Sequence, residues 1–391
     1  MASILGGEMT ALRVGFDTGP LLGPRTGVGL AVQEMHRALA DRDDVELTDY
    51  VLSLRARLGG KVPPGTRILP LPAAVAQRIW AISDRARLDR WLPGAQLVHG
   101  TNYVVPPSHL PRVVSVYDCW FLRHPDQATP SVHRAGQVLR RAVASGAVVH
   151  ASSTATADAV RALLPGAAVH TVHLAAVPLA PAPATAPTAT VVTQLAGRPF
   201  LLSIGTFERR KNLPMLVQAF AAIASSHPDL CLLLAGGDGD DSAAVQRAIA
   251  ALGPALSARV LVAGRVDTDT RSWLLHHAAA LAYPSLDEGF GFPLLDAMQA
   301  GVPVVASTAG SIPEVAGDAA LLSDVADVDA FAANLHLALH SQSVRAHLVA
   351  TGHQQLQRFS WQRCAAEMAA LYRRVAAGES GSDAPIDGDT R

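Results

Sequence analysis

Between Pro284 and Gly301 the chain reads PSLDEGFGFPLLDAMQAG, a stretch that concentrates groups able to bind a polar ligand. Glu288 stands beside a Gly-Phe-Gly turn, Gly289 to Gly291, whose glycines let backbone amides approach a ligand. Pro293 follows where a helix is expected to begin, and the free N–H groups and dipole of a helix start form an anion site suited to a diphosphate. Glu288 and Asp296 are two carboxylates able to accept hydrogen bonds from sugar and ribose hydroxyls without a metal. Asp296 also has a purely structural reading, because an acidic residue in a first helical turn contributes roughly 0.3 to 1 kcal/mol. Glu288 lies at a strand exit, where open α/β sheets bind their ligands.

Other candidates are scattered along the chain. Arg209-Arg210-Lys211 follows an apolar strand, and such a run is either a solvated turn or a cluster of cations for an anionic ligand. Arg25, Gly27 and Gly29 fall in a Gly/Pro loop, TGPLLGPRTGVG, after the first strand. That loop lacks the Gly-Lys-Ser/Thr of a P-loop and the full dinucleotide fingerprint, so alone it reads as a tight turn. Asp118 ends the run VVSVYD, where a carboxylate can accept a proton from a hydroxyl. The segment from Asp238 to Asp241 looks like an acidic metal motif but follows LLLAGG at a strand exit, where polar loop residues are ordinary, and His150, His173, His276 and His277 lack ligand spacing. No metal is expected.

These residues need elements to position them. Leu12–Asp17, Leu97–His99, Val113–Tyr117, Ala147–Ala151 and Ala168–Val172 read as strands alternating with helices such as Leu30–Leu39, the pattern of a parallel sheet covered on both faces. The stretch VPLAPAPATAPTATVVT from Val177 is proline-rich and uncharged, and reads as a linker. Beyond it Phe200–Ile204, Leu230–Ala235, Val260–Ala263, Ala280–Tyr283 and Val302–Ala306 restart the alternation. Trp361–Val375 puts Cys364, Met368, Leu371 and Tyr372 on one helical face. The resulting division is a lobe over 1–177, a linker over 178–198, a second lobe over 199–355, a terminal helix over 356–377 and a disordered tail over 378–391.

At 391 residues the chain is long enough for two cores, and 49% hydrophobic with 17% charged residues is a globular composition. A net charge of -1 gives no global attraction to nucleic acid. Three widely spaced cysteines, no leader and no apolar run of membrane-spanning length point to a cytoplasmic protein. Arg78–Trp91 mixes Ile79, Trp80, Ile82, Leu88 and Trp91 with arginines, and reads either as an ordinary surface helix or as an interfacial one making weak peripheral contact with the inner face of a membrane.

Seven ordered motifs carry a family resemblance across nearly the whole chain: RTGVG from Arg25, HGTNYVVPP from His99, IGTFERRKNLPMLVQAF from Ile204, VAGRV from Val262, YPSLDEGFGFPLLDAMQAGVPVVAS from Tyr283, SIPEVAGDAALL from Ser311 and FSW from Phe359. In these the sequence resembles the family-four retaining glycosyltransferases, in particular a bacterial mannosyltransferase-like branch acting on surface or capsular polysaccharides. The resemblance implies the GT-B fold: α/β, with two Rossmann-like doubly wound lobes facing a central cleft, and the terminal helix crossing back to the first lobe.

It further implies a metal-independent hexosyltransferase with no cofactor beyond its nucleotide-sugar substrate, GDP-linked mannose ahead of a UDP-sugar, and a glycan or glycolipid hydroxyl as acceptor. Glu288 would contact donor-sugar hydroxyls, and Arg210 and Lys211 the diphosphate and leaving nucleotide. Gly289, Phe290 and Gly291 would line the sugar and phosphate, position 296 would hold the ribose, and Arg25, Gly27, Gly29, Gly264 and Arg265 would complete the donor site. Asp118 would serve the acceptor. The chain departs from the family where Tyr117 replaces the usual His before Asp118, and where Asp296 replaces a second Glu. A nucleotide-sugar epimerase and a non-catalytic nucleotide-sugar-binding partner of a transferase are the competing readings.

Overall fold

The computed structural model describes residues 11–379 and 381, apart from 24, 25, 61 and 86. The chain forms two compact units, Met1–Leu174 together with Trp361–Arg391, and Ala175–Ser360.

The first unit is built on a 7-stranded sheet of β1 (Leu12–Asp17), β2 (Val45–Val51), β3 (Arg67–Ile68), β4 (Leu97–Gly100), β5 (Arg112–Val116), β6 (Val148–Ala151) and β7 (Val169–Thr171), in the order β3-β2-β1-β4-β5-β6-β7. All its pairings are parallel. β4, β5 and β6 are buried at every position, so they are mostly apolar and their few polar residues, His99, Arg112, Ser115 and His150, are buried with them. β2, VELTDYV, is buried only at Val45, Tyr50 and Val51, with Glu46 exposed and Leu47 to Asp49 half-buried, and its charges hide it from a search for apolar runs.

Helix Gly27–Ala40 lays Ala31, Val32, Met35 and Leu39 against this unit, and helix Trp361–Ala376 buries Cys364, Met368, Leu371 and Tyr372 against helix Gly27–Ala40, β4 and β5. A buried polar chain ties that last helix to the sheet. Tyr372 Oη lies 2.7 Å from His99 Nδ1, His99 Nε2 2.8 Å from Ser115 Oγ, Ser115 Oγ 2.8 Å from His150 Nδ1, and His150 Nε2 3.0 Å from the Val172 carbonyl. The carbonyl can only accept, so His150 carries its proton on Nε2. Each preceding group then donates in turn: Ser115 to His150, His99 to Ser115 and Tyr372 to His99. These directions hold because both imidazoles are neutral: burial pushes His99 well down and His150 to about 4, so each ring carries one proton only.

Residues 78–91 do not form one helix. The helix is Ala73–Trp80, and a separate short turn spans Asp89–Trp91. Ser83 ends the first by turning its hydroxyl to the Arg85 amide at 3.2 Å, a local bond that competes with helix propagation.

The second unit carries a 6-stranded sheet of β8 (Phe200–Ile204), β9 (Cys231–Ala235), β10 (Val260–Gly264), β11 (Ala280–Tyr283), β12 (Val304–Ser307) and β13 (Ala320–Ser323), ordered β10-β9-β8-β11-β12-β13 and parallel throughout. Residues of the proline-rich stretch belong to this unit. Prolines cannot supply ladder donors, so side chains strap the segment down: Gln299 donates to the Val177 carbonyl at 2.9 Å, and Ser272 to the Ala180 carbonyl at 2.6 Å. Within the stretch read as linker, Thr190–Leu195 forms a helix that buries Val191, Val192 and Leu195 and packs on β10. The tail expected over 378–391 falls almost entirely outside the described residues.

Candidate functional site

In each sheet the chain reverses its direction of travel between two neighbouring strands, β1 and β4 in the first, β8 and β11 in the second. Loops leaving such a pair diverge to opposite sides and open a crevice at the carboxyl ends, the place where α/β sheets bind ligands. Arg210, Lys211, Glu288 and the turn Gly289 to Gly291 leave from that point, whereas Gly264 and Arg265 stand at the end of β10, the outer strand of the sheet.

After β8 the short turn Arg209–Lys211 presents its cations, and after β11 comes the loop with Glu288. The Leu286 amide donates to the Arg210 carbonyl at 2.7 Å, fastening one loop to the other. Lys211 Nζ donates to Glu288 Oε2 at 2.7 Å and to Tyr283 Oη at 2.8 Å, and Tyr283 donates to the same Oε2 at 2.6 Å. Arg210 donates to Glu288 Oε1 at 3.1 Å, and through Nε to Glu208 at 2.7 Å. Lys211 also sits over the Tyr283 ring, 4.8 Å from its centroid.

Burial alone would raise the Glu288 carboxyl, but Lys211 and Arg210 outweigh it and hold it down at about 2. Glu288 is therefore an acceptor at neutral pH and not a proton donor. Burial works on Lys211 in the opposite sense, pulling the ammonium below its ordinary value while Glu288 opposes the shift.

Glycines make the arrangement possible. A Cβ on Gly236 would stand 1.8 Å from the Gly205 carbonyl oxygen, and one on Gly310 2.4 Å from that of Glu288, so neither neighbouring loop could approach with any side chain there. The Gly205 amide bonds the Ala235 carbonyl and the Gly236 amide that of Gly264, which joins the loops after β8, β9 and β10. Arg265 lies against Gly237, where a Cβ would be 2.7 Å from its Nε.

Gly291, at φ 90°, leads into helix Phe292–Gln299, with Pro293 in its second position. Phe290 is packed edge-on to Phe292 and Phe359. Asp296 is nearly fully buried and paired with Arg271 of helix Thr268–His277. Its burial pushes the carboxyl up to about 6, with Arg271 opposing. The second carboxylate thus already has a partner within the protein. Of the acidic stretch after β9, Asp238 accepts from Ser242 at 3.2 Å and Asp240 from the Arg209 amide at 3.0 Å, ordinary turn contacts.

In the first unit, Gly27 and Gly29 belong to the first turn of helix Gly27–Ala40 and not to the preceding loop, because Thr26 caps the helix by accepting the Gly29 amide at 3.3 Å. Arg25 lies outside the described residues. Asp118 follows β5 and Tyr117. Its Oδ1 accepts the Trp120 amide at 3.1 Å and its Oδ2 the Tyr103 hydroxyl at 3.2 Å. Tyr117 donates to the Thr101 carbonyl at 2.9 Å.

Tyr283, Glu208, Arg271 and Tyr103 join the site contacts without being singled out by residue type or spacing. Tyr283 and Tyr103 lie inside quoted motifs, and a tyrosine closing a strand beside a charged loop was the available signal. Glu208 also lies inside a quoted motif, directly before the cations, while nothing local marks Arg271.

Residues 191–355 match the family model described as glycosyl transferases group 1. The chain is 32% identical over 181 residues to O-antigen chain mannosyltransferase B of Escherichia coli, a match covering 46% of this chain and 47% of that protein. It spans about half the length of the first curated relatives it matches. Among solved structures, sucrose-phosphate synthase from Thermosynechococcus elongatus superposes with a TM-score of 0.69 at 20% identity, over 94% of this chain and 100% of that one. Anabaena Alr3699/HepE in complex with UDP gives 0.65 at 17%, over 93% and 99%. The chain is of GT-B architecture, and its residues 191–355 are similar to the glycosyltransferase group 1 family.

Proposed function

We propose that the protein is a glycosyltransferase that moves a hexosyl group, mannosyl ahead of others, from a nucleoside-diphosphate sugar to a hydroxyl of a glycan or glycolipid, with retention of anomeric configuration. The observation that carries this is the meeting of Arg210, Lys211, Tyr283 and Glu288 at the β8/β11 crevice. The family match and the mannosyltransferase named among the relatives support it.

The chemistry follows from the charges. Glu288, held ionised, accepts hydrogen bonds from donor-sugar hydroxyls. As the bond between the anomeric carbon and the phosphate oxygen breaks, negative charge grows on the leaving diphosphate, and Arg210 and Lys211 stabilise it more in the transition state than in the ground state. The acceptor oxygen forms the new bond at the anomeric carbon and passes its proton to the departing phosphate oxygen. Asp118 positions the acceptor hydroxyl. This sequence needs no metal in the reaction and no cofactor beyond the donor.

Two measurements test the reading. A thermal-shift screen of GDP, UDP, GDP-mannose and UDP-glucose should show one nucleotide stabilising by about 2.7 kcal/mol at 100 times its dissociation constant. Incubation with the matching sugar nucleotide should release the nucleoside diphosphate, and NMR of the product should show the donor's anomeric configuration. A new epimer formed from donor alone would make the protein an epimerase, and binding without any cleavage would make it a non-catalytic partner.

A further inference from the structure

Tyr103 has a backbone that ordinary packing does not require. It sits between β4 and β5 at φ 59°, in the left-handed region that bulky residues rarely adopt. Such strain persists only where its surroundings over-determine it, and it clusters at functional sites. Here the Tyr103 amide donates to the Ser115 carbonyl at 3.0 Å. Gly100 admits the fold-back of the same loop, since a Cβ there would stand 2.0 Å from the Val104 carbonyl oxygen. The ring is fixed edge-on by Tyr117 at 6.0 Å and Phe121 at 5.1 Å between centroids. From this position the hydroxyl reaches Asp118 Oδ2, while the Trp120 amide holds Oδ1. Each oxygen has one fixed donor, so the plane of the carboxylate is set.

We infer that Tyr103 is a positioning residue, which aims the Asp118 carboxylate at the acceptor hydroxyl, and that the strained loop from Gly100 to Val105 exists to place it. The inference rests on the reading of Asp118 as the acceptor-side group. Tyr103 needs no contact with either substrate to act this way. Its hydroxyl contributes orientation, and its ring keeps the loop in place.

The experiment compares the folded wild-type chain with Tyr103→Phe, Asp118→Asn and the double variant. The readouts are nucleotide release from GDP-mannose with water or methyl α-mannopyranoside as acceptor, and the GDP dissociation constant. Tyr103→Phe keeps both ring contacts, and an unchanged melting temperature verifies its fold. One hydrogen bond to a charged group corresponds to roughly a tenfold loss of turnover, and the GDP dissociation constant should stay within about twofold, a precision below the usual additivity error. In the Asp118→Asn background the same change should add almost nothing, because its target is already lost. Wild-type turnover in Tyr103→Phe beside an impaired Asp118→Asn overturns the positioning role alone, as does an equal loss in both backgrounds. Full activity of Asp118→Asn overturns the reading of Asp118 and the inference with it.

Discussion

Lys211 and Glu288 stand 77 residues apart in sequence and meet at 2.7 Å between Nζ and Oε2, with the Tyr283 hydroxyl bonded to both. The contact places a cation that anchors the carboxylate beside the position where leaving-group charge is proposed to develop. Lys211→Ala should lower turnover by roughly ten- to a thousandfold, the order found for removing one charge-stabilising donor. Binding of the bare nucleoside should change far less. Initial rates and nucleoside titration on the folded variant check this, and undiminished turnover would take Lys211 out of the chemistry.

The same contact has a signature in acid. The folded Glu288 carboxyl lies at about 2 against an ordinary 4.5, so its contribution is fully present above pH 4.5 and is lost as pH falls towards 2. A shift of that size corresponds to about 3 kcal/mol at 1.36 kcal/mol per unit. Denaturant unfolding between pH 5 and about 2 should show wild type losing stability more steeply than Glu288→Gln. Parallel curves would mean that the lysine and arginine do not hold the carboxylate in solution.

Asp296 should behave oppositely. Its folded value is raised to about 6 from 3.8, so the folded state holds the proton more tightly, and the stability this gives at low pH disappears as pH rises through 6. Asp296→Asn should flatten the stability curve between pH 4 and 6 and be the more stable protein near pH 7, with the amide oxygen still accepting from Arg271. A variant curve that falls alongside wild type would contradict the burial argument.

The buried chain from Tyr372 to Val172 predicts tautomers. Nitrogen-15 NMR at pH 7 should show His99 and His150 neutral, each protonated on Nε2, since burial keeps one proton per ring and the Val172 carbonyl then sets the direction of the bonds before it. Tyr372→Phe leaves His99 Nδ1 buried without its donor and should cost about 1 to 3 kcal/mol in an unfolding titration. An Nδ1-protonated His150 would reverse the assignment.

Much of this was legible in one dimension. β1, β8 and β11 have the bounds read from the sequence; β8 and β11 are buried almost throughout and so are nearly continuous apolar runs, while β1 is announced by its buried centre, Val14 to Phe16. β2, β3 and β13 were not announced. β2 carries polar residues on its less buried positions, β3 is only two residues long, and β13 is half-buried at all but its last position, so each gives a thin hydrophobic signal. Residues 78–91 looked helical because periodicity counts apolar residues and ignores the Ser83 hydroxyl that terminates the turn.

For the site, the sequence by itself determined which residue types stand at strand exits: Glu288 beside its glycines, the cations at 209–211, and Asp118 at the end of VVSVYD. Spacing alone reveals these, since a strand places whatever follows it at the carboxyl edge of the sheet. Only the tertiary structure decided who faces whom. The strand order puts β8 beside β11 and so brings Lys211 to Glu288, while helix Thr268–His277 delivers Arg271 to Asp296 as an internal ion pair. Tyr103 comes to Asp118 through a left-handed residue that no propensity favours. Such partners lie 15 to 77 residues apart, and their distance is set by strand order and loop closure, which local patterning does not encode.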